Sequence, residues 1–214
     1  YMDGFKYVLS EKDELDPVFM GLEFETTSSN GDVNDTVRDI HGGTSFRRHG
    51  ILKYDGSTGV DGFEFASIPA TLDYHKKVLK EFTDQGGEDL IDPSHNCGVH
   101  VHIDKRAFCV PFKDEAVFQK IAVGKLVAFL NNPETRDFMI KMAGRNFTTN
   151  EYCSDLMMKG KSSKGMDQAA TFAKDLKVDE PLSSPRKSVY LNKRKTVEVR
   201  LFSSEKRMAA IARK

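Results

Sequence analysis

The sequence has no tryptophan and three cysteines in 214 residues. Cys97, Cys109 and Cys153 are odd in number and lack CxxC spacing. A disulfide framework and a zinc ribbon are therefore not expected, and the default setting is a reducing compartment, the cytoplasm. No apolar run approaches the ~20 residues that cross a bilayer, so no membrane partner is expected. No basic segment followed by an apolar core opens the chain, so no secretory signal is expected. The chain opens on Tyr1 rather than Met, as an edge cut from a longer sequence would. Net charge is also missing, with 32 Lys and Arg against 32 Asp and Glu, which argues against a polybasic nucleic-acid binder. No internal repeat is visible, and neither GxxxxGK[ST] nor GxGxxG occurs.

What is present fits a globular chain. Apolar residues make up 39% and charged residues 30%, and the length suits one domain over 1–214. The 8 Met and 15 Phe are expected to fill its core in place of tryptophan, while His41, His49, His75 and His95, in loops or on a polar helix face, are expected to be solvent-exposed. The neutral total conceals a gradient. Residues 1–70 hold 13 acids and 6 bases, net −7, whereas residues 141–214 hold 8 and 17, net +9. Chance clustering on solvated faces accounts for such a split. So does one site that takes carboxylates from one end for metal and bases from the other for an anion.

Hydrophobic periodicity places the elements. Phe19 to Thr26 alternates apolar and polar, the strand signal. SSNGDVND reads as a turn-rich loop. Residues 51–70 read as two short strands around a Gly-rich turn, closed by Pro69. Residues 71–85 predict a helix on Leu72, Val78, Leu79 and Phe82, with Thr71 as its cap and Gly86–Gly87 as its stop. CGVHVHID, residues 97–104, alternates again. Residues 113–130 and 133–142 predict helices, and 188–202 a hairpin turning at Asn192–Lys195. Residues 1–16 and the Lys-, Ser- and Gly-rich 159–185 read as loops. The mixture lacks βαβ regularity, so α+β with a mostly antiparallel sheet and helices on one face fits best.

Four strands share a peculiarity. Glu23 and Glu25 are two apart in GLEFE, His100 and His102 in GVHVHID, and Glu198 and Arg200 in TVEVRLF. Glu64 sits between Phe63 and Phe65 in GFEFAS. Side chains alternate along a strand, so each polar set points to one face and its apolar flanks to the other. One such pair is an ordinary wet face, but wet faces carry Lys, Thr and Ser rather than repeated Glu and His. Gly21, Gly62 and Gly98 precede these residues and would let a ligand or a backbone approach closely. Carboxylates and imidazoles suit Mg²⁺ or Mn²⁺, ions that keep open positions for phosphate. The Arg200 fork is suited to phosphate oxygens.

The order GLEFE, KYDGS with GFEFAS, CGVHVHID, then Tyr-x-Asn and TVEVRLF resembles the amidoligases of the glutamine synthetase-like carboxylate–amine ligase superfamily, over about residues 19–203. The resemblance implies a curved antiparallel sheet that binds ATP and divalent cations. It implies Glu23, Glu25, Glu64, His100 and Glu198 as metal ligands. It implies Lys53, His102, Arg186, Asn192 and Arg200 around the nucleotide, with Tyr190 on the same strand as Asn192 and Arg145 as a looser basic match. Asp55, His102 and Arg200 take the catalytic roles. The substrates would be a carboxylate and an amine, from an amino acid, peptide or protein, joined through an acyl phosphate. The chain ends soon after Arg200, where such enzymes usually continue, and Ser-Ser-Glu replaces their usual Gly-Thr turn.

Two other readings use the same residues. A cupin-like oxygenase would hold its metal with His100, His102 and Glu64. A non-catalytic relative would keep the metal and nucleotide sites without turnover.

Overall fold

The computed structural model describes residues 18–92, 97–104, 133–144, 189–190 and 196–204. They fall into two compact units. The first takes its residues from Tyr1–His102 and Ser203–Lys214, the second from Ile103–Phe202. The architecture is mixed α+β. Among the described residues there are six strands, and every pair of defined register is antiparallel.

The first unit is built on β1 (Met20–Thr27), β2 (Gly50–Tyr54), β3 (Gly62–Ser67) and β4 (Gly98–Asp104), hydrogen-bonded in the order β2-β3-β1-β4. Register sets Glu25 opposite Glu64, and Lys53 opposite Glu64 from the other side. The period of two then sorts the side chains. Phe24, Phe63 and Phe65 are buried on one face. There Phe65 stacks on Phe46 with ring centroids 3.8 Å apart, and Phe46 meets Phe82 at 4.4 Å. Glu23, Glu25, Lys53, Glu64, His100 and His102 fall at the alternate positions.

The helices supply the other wall of the core. Helix α2 (Leu72–Asp84) buries His75, Val78, Leu79 and Phe82, an i, i+3, i+4, i+7 stripe. His75 therefore replaces Leu72 in the expected stripe, and Leu72 is half exposed. Thr71 stands at the N-cap position, yet its side chain makes no capping bond. Gly86, at φ 76°, ends the helix as expected, because the left-handed region suits a residue without Cβ. Helix α1 (Val33–Gly43) occupies part of the stretch read as a loop. Asp32 caps it, accepting from the Asp35 N–H, and Thr36 and Ile40 face the core one turn apart.

In the second unit, helix α3 (Pro133–Ala143) matches its expected span. The expected hairpin has β5 (Val189–Tyr190) antiparallel to β6 (Thr196–Ser203), with Tyr190 opposite Glu198. The helix expected at 113–130, the turn at 192–195 and the segments 1–16 and 159–185 lie outside the described residues. No helix among the described residues is long and apolar enough to cross a membrane.

Candidate metal centre

The acidic face of the first unit is assembled by register. Glu25 and Glu64 are directly opposed, and like charges in that position repel. Asp55, one residue past the end of β2, adds a third carboxylate. One oxygen from each of Glu25, Asp55 and Glu64 lies within 4.8 Å of the others. Glu25 and Glu64 are buried, each 8% exposed. Hard cations take carboxylate oxygens at about 2.0–2.6 Å, so ligands of one ion stand up to about 4–5 Å apart. The donor set and its spacing fit Mg²⁺, Mn²⁺ or Ca²⁺, and its all-oxygen chemistry does not favour zinc.

Local chemistry holds each carboxylate in place. Glu25 Oε2 accepts the Gly98 N–H at 2.7 Å, tying β1 to the start of β4. Asp55 accepts the Ser57 N–H on Oδ1 and the Ser57 hydroxyl on Oδ2, both at 2.9 Å. This Asx turn fixes the carboxylate at the strand end. The Lys53 ammonium pairs with Glu64 across the β2–β3 ladder and offsets part of the crowding. Lys53, expected at the nucleotide, is thus also the counter-ion of a metal candidate.

The imidazoles gather on the neighbouring glutamate. His100 Nδ1 lies 3.3 Å and His102 Nε2 3.2 Å from Glu23 Oε2, while His100 Nε2 lies 3.5 Å from Glu25 Oε1. His100 is buried, at 4% exposure. The cupin-like reading needs both histidines on Glu64. Among the described residues, no convergent ligand group combines His100 and His102 with Glu64.

In the second unit, Arg200 Nη1 donates to Glu198 Oε1 at 2.8 Å. Glu198 is fully buried, and a buried carboxylate calls for such a partner. Arg186, Asn192, Arg145 and His95 lie outside the described residues.

The expectation for the glycines holds at Gly62 and not at Gly21, and that for two histidines changes. A Cβ on Gly21 would meet only the His102 Cβ, at 3.7 Å, which is ordinary contact. At Gly62 the close approach comes from Thr58 and from the Asp55 carbonyl oxygen, 2.6 Å away. His75, expected on an exposed polar face, is 3% exposed and its Nε2 lies 2.7 Å from the Met20 carbonyl. Burial lowers its pKa below 6.5, a shift only partly opposed by that bond. His49 is half-buried rather than exposed, and its Nδ1 lies 2.6 Å from the Tyr74 hydroxyl. Sequence reasoning passed over Ser57, although D-G-S carries the Asx-turn signal. It also passed over the Gly98 amide, which no side-chain pattern marks.

No protein-family model and no curated protein matches the sequence.

Proposed function

We propose that the protein is an ATP- and Mg²⁺-dependent carboxylate–amine ligase, an amidoligase with a glutamine synthetase-like catalytic sheet. The observation that carries the reading is the convergence of Glu25, Asp55 and Glu64 within 4.8 Å on the strand face away from the buried phenylalanines. Three carboxylates at that distance repel unless a cation lies among them. The resemblance in motif order adds the nucleotide.

In this reading Glu25 and Glu64 hold one cation, with Asp55 beside it. Glu23 and His100 serve a second cation, and Glu198 is a further metal glutamate by resemblance. Cations supply charge neutralisation at the transferring phosphoryl group. Lys53, His102 and Arg200 bind nucleotide oxygens, with Arg186 and Asn192 as further contacts. The substrate carboxylate attacks the γ-phosphorus, forming an acyl phosphate and ADP. The amine then attacks the acyl carbon, phosphate leaves, and Asp55 takes the amine proton.

The test is ADP release by purified protein with ATP and Mg²⁺, screened across carboxylate–amine pairs. Turnover that needs both substrates, and is lost in Glu25→Gln, is the expected result. Nucleotide binding that tolerates Glu23→Ala together with Glu198→Ala would sink the reading. So would Fe²⁺-dependent oxygen uptake.

A further inference from the structure

A groove of about 510 Å³ runs along the free side of β2. Its walls are Val33 and Val37 of α1, Leu52 and Tyr54 of β2, and Val60 and Asp61 of the loop leading into β3. Val33 and Val37 are one helical turn apart and share a face.

Among the described residues, no strand pairs with the outer side of the β2 main chain along this groove. His49 O accepts from Ile68 N at 2.8 Å, and Asp55 N donates to Gly62 O at 3.1 Å. Main-chain groups alternate sides along an antiparallel ladder. Residues 49, 51, 53 and 55 therefore face β3, and Gly50, Leu52 and Tyr54 point their N–H and C=O groups outward. β2 ends the strand order, and no strand covers that side among the described residues.

Proteins usually guard such an edge with charge or a bulge. This edge carries one such charge, Lys53, which is half exposed and drawn toward Glu64. Ile51, Tyr54 and Val60 are instead 57%, 66% and 84% exposed. The groove carries an acidic excess: Asp32 and Asp61 line it against the single Lys53. Asp35 and Asp39 follow on α1, where the single Arg38 lies against both.

We propose that this groove docks an extended basic peptide segment of another protein. The segment would add to β2 as a further antiparallel or parallel strand. Outward groups of Leu52 and Tyr54 supply the ladder bonds, and an apolar side chain enters between Val33, Val37 and Leu52. Lysine or arginine two residues to either side of it, on the same face, meets Asp32 and Asp61, so backbone gives affinity and side chains give selection. A second copy of the chain suits the edge less well, since pairing β2 with β2 sets one acidic rim against another. The inference stands apart from the ligase reading, and its test uses neither metal nor nucleotide.

The probe is a fluorescein-labelled Lys-Thr-Val-Thr-Lys-Thr peptide, which sets valine and both lysines on one face, followed by anisotropy with the full chain. Saturable binding is expected, about tenfold or more weaker for a version with alternate backbone amides N-methylated and for Glu-Thr-Val-Thr-Glu-Thr. Asp61→Lys should weaken the basic peptide by about tenfold and raise affinity for the acidic one. Leu52→Pro removes an outward N–H without touching the β3 ladder and should abolish binding. Val37→Glu replaces it if circular dichroism shows that the proline variant is unfolded. Equal binding of the three peptides, or none up to millimolar concentration, would overturn the proposal. So would a sedimenting dimer that Leu52→Pro dissolves and the peptide cannot enter.

Discussion

Glu25 on β1 stands directly opposite Glu64 on β3, two buried carboxylates in register on one face of a sheet. Opposed like charges cost about 0.2–1 kcal/mol even on ordinary sheets. Asp55 adds a third oxygen within 4.8 Å. On the proposed reading, a cation among these oxygens offsets that cost.

Glu25→Gln separates the two roles. Glutamine keeps an oxygen that accepts the Gly98 N–H and removes the charge. Metal-free protein should melt at the same temperature as the parent, or higher by the equivalent of about 0.5 kcal/mol. Parent protein should gain melting temperature on adding Mn²⁺, because a ligand bound only to the native state stabilises it. The variant should lose most of that gain. Differential scanning calorimetry at several Mn²⁺ concentrations checks both. An undiminished gain would remove Glu25 from the metal centre.

Lys53→Met tests the counter-ion. Lys53 is half exposed, so its pair with Glu64 contributes about 1 kcal/mol or less to stability. Its larger effect is on potential, since the ammonium competes with any cation for Glu64. In the absence of nucleotide, Mn²⁺ should bind Lys53→Met several-fold more tightly. ATP should bind it less tightly if Lys53 also reaches phosphate. Isothermal titration with each ligand alone gives the two signs separately. Weaker Mn²⁺ binding would mean that Lys53 supports the site rather than competing with it.

The strands of the site were legible because one face of each is buried. GLEFE, GFEFAS and CGVHVHID alternate so regularly that face and element follow together, and β1, β3 and β4 lie within a residue or two of their expected bounds. Helix α1 was hidden by its own cap. Asn30, Gly31 and Asp32 are turn residues, and Asn30 Oδ1 does accept the Asp32 N–H, yet the same Asp32 starts a helix. Its inward residues are Thr36 and Ile40, and a buried threonine leaves little hydrophobic period to detect. His75 was misplaced for a related reason. A polar residue within a helical stripe reads as the wet face until its partner, the Met20 carbonyl far away in sequence, is known. Cross-strand register is likewise a tertiary fact. Alternation shows that Glu25 and Glu64 face one way, but not that they face each other.

His75 also gives the fold a pH dependence of definite sign. Burial is the main cause of its lowered pKa, and the Met20 bond opposes part of the shift. In the unfolded chain it titrates at the ordinary 6.5. Below that value the unfolded state binds a proton that the folded state resists, so stability is full above pH 6.5 and falls as pH drops toward the folded-state pKa. His49, lowered chiefly by burial and partly restored by Glu81, adds to the same slope. His75→Gln, whose amide can still donate to Met20, should flatten the urea-midpoint profile below pH 6.5 while costing about 1–3 kcal/mol at pH 7.5 through changed packing. An unchanged slope in the variant would place the pH response elsewhere.

Gly62→Ala tests whether the turn after β2 holds the acidic centre in shape. A Cβ there would press on the Thr58 side chain and on the Asp55 carbonyl oxygen, 2.6 Å away. Three bonds share that corner: Asp55 N to Gly62 O, Thr58 N to Asp55 O and Gly62 N to Gly59 O. Relieving the overlap has to move backbone, which costs about 1–3 kcal/mol in a packed setting. The displaced residue is Asp55, whose carboxylate is held by Ser57 across the same turn. Stability and Mn²⁺ affinity should therefore fall together in Gly62→Ala. In Ser57→Ala, which removes only the hydroxyl bond to Asp55 Oδ2, affinity should fall with little change in stability. Titration calorimetry and urea unfolding on both variants check the pair. Parent-like Mn²⁺ affinity in Ser57→Ala would show that the Ser57 hydroxyl does not position Asp55 for a cation.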